Sequence, residues 1–157
     1  MPRWLNYLLL ALGAAGIILA IAAPLGPMPG FRIGGTAAEP PANWAGAELP
    51  HNILFGTYDG VFPYVVMIWV VESGGTLYVV GDPASTWVAK ATSTSDVKVR
   101  INDAVYDMTA TRMPPGRVDV LTAYVDRYQA DYPEIIDGFP PLDEMAQGSA
   151  LFELSPR

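Results

Sequence analysis

The sequence predicts a mainly β chain with helical insertions: a six-stranded antiparallel barrel (α+β class) preceded by one N-terminal transmembrane helix. Three observations carry this. Trp4 to Ala23 contains no charged residue and is dominated by Leu, Ile and Ala. As a helix it would reach ~30 Å, about the hydrocarbon thickness of a bilayer. Beyond it, two pairs of apolar or alternating segments each meet across turn residues, the signature of β-hairpins. Finally, short helical patterns interrupt the hairpins, which points to an antiparallel barrel rather than a parallel sheet.

Each element can be justified in order. Residues 1–25 read as the anchor, with Arg3 before the apolar run and Pro24, Gly26 and Pro27 after it. A cleaved secretory signal is the weaker alternative, because its apolar run is shorter and Pro24 would fall just after a cleavage site. Residues 26–50 form a Pro- and Gly-rich linker, unable to continue as a helix or central strand, expected to dock on the domain through Phe31, Ile33 and Trp44. Residues 51–157 form the barrel domain. His51–Thr57 is a short strand. Pro63–Glu72 is the strongest strand, uncharged until its last residue and read as buried on both faces. Glu72-Ser73-Gly74-Gly75 turns it into Thr76–Gly81. Asp82-Pro83 then opens a short helix to Ala91, with Asp82 as its cap. Val97–Ile101 and Val105–Arg112 pair around Asn102-Asp103. Pro114-Pro115 open a second helix, with Val118, Leu121, Val125 and Tyr128 as its apolar stripe. Residues 133–148 read as a loop, and Ala150–Leu154 as a last strand.

Charge and composition exclude several function classes. The net charge is −7, with only nine basic residues, and they are scattered. Nucleic-acid binding needs clustered Lys and Arg, so no nucleic-acid partner is expected. The absence of cysteine removes disulfides, thiolate metal sites and cysteine nucleophiles. His51 is the only histidine, and no carboxylate spacing completes a metal site around it. Asp137, Asp143 and Glu144 lack the spacing of a calcium loop, so no metal is expected.

Gly74-Gly75-Thr76-Leu77-Tyr78-Val79-Val80-Gly81, then Trp87, then Val97-Lys98-Val99-Arg100-Ile101 form a pattern. It resembles the split β-barrel flavin-binding superfamily, that is, pyridoxamine-phosphate-oxidase-like and deazaflavin-dependent nitroreductase-like proteins. The helix with Ala123-Tyr124 and Tyr128, and the final Leu151-Phe152-Glu153-Leu154, continue the likeness over most of the domain. The resemblance implies a flavin (FMN) or deazaflavin cofactor, oxidoreductase chemistry carried by that cofactor, and a homodimer with the cofactor at its interface. It implies cofactor contacts at Trp87, Lys90, Lys98 and Arg100; catalytic residues remain unassigned. The pattern departs from the family at Gly56-Thr57-Tyr58-Asp59-Gly60-Val61-Phe62, where members carry basic residues and this chain carries none. A barrel without cofactor stands as the equal alternative.

Plainer readings accompany each site residue. Trp87 reads more simply as core, Lys90 as a solvated side chain, and Lys98 and Arg100 as the wet side of a strand whose valines face inward. Tyr58, Tyr64, Tyr78 and Tyr106 either meet a ring ligand or pack with one polar tip satisfied. The function expected is thus a membrane-anchored split-barrel oxidoreductase, with a cofactor-less binding module or an accessory subunit of a membrane complex as alternatives. The bilayer is the expected partner of residues 4–23, and Gly13-Ala14-Ala15-Gly16 would permit close helix packing. Arg3 and the amino terminus favour an N-inside orientation with the domain outside; a cytoplasmic domain is the alternative.

Overall fold

The computed structural model describes Trp4, Tyr7, Leu8, Leu10, Leu12, Ala14, Pro24 and residues 28–157. Most of the expected apolar helix over residues 4–23 lies outside the described residues, and so does the small-residue patch at 13–16 except for Ala14. Among the described residues no helix is long and apolar enough to cross a membrane.

The strands are β1 (Thr36–Ala37), β2 (Asn52–Thr57), β3 (Tyr64–Trp69), β4 (Val71–Ser73), β5 (Thr76–Gly81), β6 (Asp96–Ile101), β7 (Ala104–Arg112) and β8 (Ala150–Pro156). The helices are α1 (Thr86–Thr94), α2 (Val118–Gln129), α3 (Pro133–Ile136) and α4 (Leu142–Gly148). The sheet order is β3-β2-β6-β7-β8-β5-β4, antiparallel throughout, with β1 added in parallel to β7. The expectation of six strands is therefore corrected to eight. The difference has two physical sources. The linker contributes β1, and the long apolar strand expected at Pro63–Glu72 breaks at Val70.

That break closes the barrel. β3 lies at one end of the sheet and β4 at the other, yet a single residue separates them in the chain. Val70 leaves the ladder, and its two backbone groups need other partners. The Tyr128 hydroxyl supplies them. It accepts from the Val70 N–H at 3.0 Å and lies 2.7 Å from the Val70 carbonyl oxygen and 2.8 Å from that of His51. The Tyr128 ring stacks on Trp69 with centroids 4.2 Å apart and planes 10° from parallel.

The core has two main parts. The barrel interior holds Phe55, Leu77, Val79, Val99, Met108 and Phe152, with Trp87, Val88 and Ala91 of α1 packed into it. Outside the wall, α2 packs Val120, Tyr124 and Tyr128 onto Val71, Tyr78 and Leu151. The buried stripe of α2 is thus Val120, Leu121, Tyr124 and Tyr128, turned from the expected Val118–Leu121–Val125–Tyr128. Val118 is exposed because the helix begins there rather than at Pro114 and the tyrosines set its rotation. The 133–148 segment, read as a loop, contains α3 and α4; Pro133 is accommodated at the first position of α3, where its missing N–H costs nothing.

α1 also starts later than expected. Asp82 caps a turn instead of the helix: its Oδ1 accepts the Ala84 N–H, and its carbonyl accepts from the Ser85 N–H and Oγ–H. The β4–β5 hairpin follows the sequence. Gly74 and Gly75 adopt φ of 61° and 83°, which a two-residue hairpin turn of this hand requires, and the Gly75 N–H donates to Glu72 Oε1.

Replacing Tyr128 by Phe should cost about 2–3 kcal/mol, since buried backbone groups lose their only partner outside the ladder. Tyr124→Phe should change stability by less than about 0.5 kcal/mol, because no side-chain hydrogen bond is lost. Urea unfolding of both variants, compared with the parent chain, measures the contrast.

Candidate functional site

The cations expected to meet a phosphate all lie toward the outside of the barrel. β6 alternates, so Val97, Val99 and Ile101 fill the interior while Lys98 and Arg100 point outward. Lys90 sits on the half-buried side of α1. Each is already engaged. Lys90 Nζ donates to both carboxylate oxygens of Asp59, at 2.9 and 3.2 Å, and lies over the Tyr64 ring. Lys98 Nζ pairs with Asp107, its direct cross-strand neighbour on β7. Arg100 Nη1 donates to the Ile33 carbonyl at 3.0 Å and its Nε to the Asn102 carbonyl at 2.8 Å, so it clamps the linker at the edge of a hollow that it lines with Ile33, Leu54 and Met67.

The pairing has an electrostatic signature. The Lys90 hydrogen bonds hold the Asp59 carboxyl below its ordinary value, and the Lys98 hydrogen bond does the same for Asp107. Burial, aided by the nearby Asp107 charge, pushes the Tyr58 hydroxyl up, so it stays neutral. The small hollow beside Lys98 is lined by Lys98, Arg157, Asp96 and Asp107, two positive groups against two negative. A phosphate needs unpaired cations or converging backbone N–H groups. As arranged, this set does not fit a flavin phosphate.

Trp87 is 8 % exposed and lies in the barrel core, edge-on to Phe55 and tilted against Phe152. It packs so closely on the end of β5 that a Cβ on Gly81 would overlap its ring. The structure thus brings Lys90 and Lys98 to the same flank, through Asp59 and Tyr58, but places Trp87 inside and Arg100 under the linker. Tyr64 meets Lys90, Tyr78 donates to Glu153 at 3.3 Å, and Tyr106 packs edge-on against Trp44. His51 sits between Tyr132 and Asp131, with Nε2 3.1 Å from the Asp131 carboxylate. Among the described residues no three His, Asp or Glu side chains are placed to hold a metal.

A roomier cavity lies elsewhere, between the end of β5, α2 and the Phe139–Ser149 stretch. It measures about 540 Å³, within the range of small-molecule sites. Val80, Pro83, Phe139 and Met145 supply its apolar lining, and Asp82, Glu144 and Tyr124 its polar groups. Tyr124 is 6 % exposed, and burial pushes its hydroxyl well above the usual phenol range. Sequence reading did not single out this site. Its walls come from three segments far apart in the chain, and the acid- and Pro-bearing stretch at 133–148 was the one local signal.

No protein-family model matches the chain, and no curated protein matches it. Solved structures do. The conserved hypothetical protein Rv2991 from Mycobacterium tuberculosis matches with a TM-score of 0.55 and 14 % identity, covering 69 % of this chain and 74 % of that one. A putative pyridoxamine 5'-phosphate oxidase from Listeria innocua matches at 0.52 and 13 %, covering 69 % and 85 %. HutZ, the heme storage protein from Vibrio cholerae, matches at 0.51 and 18 %, covering 68 % and 82 %. The domain therefore shares the split antiparallel β-barrel fold of these proteins.

Two outcomes follow, one for the ion-paired aspartates (Asp119 is held by Arg117) and one for Gly81. Asp59, Asp107 and Asp119 are all more acidic when folded, so the folded state binds fewer protons than the unfolded one. Their stabilisation is present above the unfolded carboxyl value of about 4 and is lost as pH falls through the lower folded values. Melting temperature should drop between about pH 5 and about pH 2, and less steeply in a D59N/D107N/D119N variant. Gly81→Ala should cost about 1–3 kcal/mol by overpacking against Trp87, measured by thermal unfolding.

Proposed function

We propose that the protein is a split-barrel binding module tethered to a membrane, its fold used for recognition rather than for flavin chemistry. The observation that carries this is the neutralisation of the flank: Lys90 is held by Asp59, Lys98 by Asp107, and Arg100 by linker carbonyls. A phosphate entering there would have to displace two carboxylates before gaining a cation. Burial of Trp87 removes the one large ring expected at a cofactor's edge.

The membrane part of the proposal rests on Trp4–Ala23. Trp4, Tyr7, Leu8, Leu10 and Leu12 are helical and exposed, an arrangement that suits lipid better than water. Arg3 and the amino terminus favour an orientation with the domain outside.

A second reading is a flavin- or deazaflavin-dependent oxidoreductase, favoured by the fold shared with a putative pyridoxamine 5'-phosphate oxidase. It requires Asp59 and Asp107 to release their lysines. Full-length protein in mild detergent should carry no flavin absorbance, and FMN should leave its melting temperature unchanged. Saturable FMN binding that D59N/D107N strengthens would establish the second reading instead. For the tether, alkaline carbonate should leave the full chain in the membrane pellet. L10K/L12K should release it, since each lysine at a helix centre costs about 2.5–3.5 kcal/mol of insertion.

A further inference from the structure

The turn between β2 and β3 presents apolar side chains to the outside. Val61 is 92 % exposed and Phe62 72 % exposed. Phe31 of the linker, also exposed, meets Phe62 with ring centroids 6.2 Å apart, and Met28 stands exposed just before it. The group is held in place: Gly30 exchanges two backbone hydrogen bonds of 2.8 Å with Val65, which ties the linker to the turn. A hollow of about 330 Å³ lies between the two segments, lined by Pro29, Phe31, Phe62, Pro63 and Tyr64. Asp59, the charged residue of this turn, is paired with Lys90, and the tip Gly60-Val61-Phe62-Pro63 carries no charge. Turns are normally built from small and polar residues. Large apolar side chains gathered at an exposed tip mark a contact surface.

Three observations name a lipid bilayer as the partner. Pro24, the first residue after the apolar run Trp4–Ala23, is buried and lines a hollow with Leu54 of β2 and Met67 of β3. The run therefore ends against the outer wall of the same two strands whose turn carries Val61 and Phe62. Met28 follows Pro24 by at most ~14 Å of chain, so the exposed group lies close to where the run ends. Finally, the composition suits an interface. Arg32, beside Phe31, is exposed and forms no ion pair among the described residues, and apolar rings flanked by a cation seat themselves at the headgroup level. We propose that Met28, Phe31, Val61 and Phe62 insert into the headgroup–acyl boundary of the bilayer that holds residues 4–23. The barrel then rests on the membrane by its β2–β3 turn instead of swinging on its tether. A net charge of −7 opposes attraction to an anionic surface, so the contact is apolar. This inference rests on the reading of residues 4–23 as a membrane tether.

The chain has no cysteine, so a single introduced cysteine can carry an environment-sensitive fluorophore. Full-length protein in phosphatidylcholine nanodiscs is labelled separately at Gly60→Cys, Leu10→Cys and Ala47→Cys. Gly60 lies in the turn, and a Cβ there has its nearest neighbour at 3.9 Å. Leu10 lies in the apolar run. Ala47 is exposed near the β4–β5 turn, where the Trp44 N–H donates to the Gly75 carbonyl, and the stretch Tyr64–Ser73 separates that turn from the first. With acyl-brominated lipid, the Gly60 and Leu10 probes should each lose about half of their emission, since side chains seated at an interface lie ~5–10 Å into the boundary. The Ala47 probe should lose none. V61D/F62D should abolish quenching at Gly60 while leaving quenching at Leu10 and the melting temperature unchanged, because both side chains are exposed. Quenching at Leu10 without quenching at Gly60 would overturn the proposal and leave the tether reading standing, and so would quenching at Gly60 that survives V61D/F62D. A Gly60 probe shielded from aqueous iodide yet untouched by brominated lipid would show a second copy covering the turn, which also overturns it. Absence of quenching at Leu10 would overturn the tether reading, and the proposal with it.

Discussion

One buried hydroxyl holds the barrel shut. β3 and β4 belong to a single extended stretch that serves both ends of the sheet, and it can do so only by leaving the ladder at Val70. A residue that leaves a ladder inside a core strands an N–H and a C=O, each costing about 1–3 kcal/mol if unmet. Tyr128 meets both. Because the tyrosine comes from α2, the same contact fixes that helix against the wall, and Arg127 beside it donates to the carbonyls of Leu49 and Pro50 at the approach to β2. Tyr124, one turn earlier, is thereby carried to the mouth of the cavity. Closure and the cavity wall follow from one side chain.

The outer flank is organised by a different logic. Exposed or half-exposed ion pairs contribute only about 0–1 kcal/mol each, so Lys90–Asp59 and Lys98–Asp107 are weak as stabilisers. Their larger effect is on availability: a lysine that donates to a carboxylate presents little charge to an incoming anion. The two sides of the domain consequently differ in kind. One has balanced charge, while the other has exposed carboxylates, in no ion pair among the described residues, beside an apolar wall.

Much of the fold was legible because it is written locally. Alternation in Val97–Ile101 gives a strand with an inner and an outer face, and Gly74-Gly75 gives a tight turn. The break at Val70 was not legible. Nothing in the apolar run Tyr64–Val71 marks one valine as different; its partner lies 58 residues away. The rotation of α2 was missed for the same reason, since Val118 and Val120 are equivalent by hydropathy and only the tyrosine contacts choose between them. Of the site residues, the identities of Lys90, Lys98 and Arg100 were visible, but their partners were not: Asp59 is 31 residues from Lys90, and Ile33 is 67 from Arg100.

The linker also sets how the domain would bear load. It is fastened in series: Gly30 exchanges two backbone hydrogen bonds with Val65, Arg100 grips the Ile33 carbonyl, and β1 lies parallel to β7 at Thr36–Ala37. Tension applied ahead of Met28 meets the Gly30–Val65 clasp first. It must peel that clasp and then the guanidinium before any pull reaches β1. A pull therefore enters the sheet at β3 through Val65, next at β6 through Arg100, and reaches β7 last.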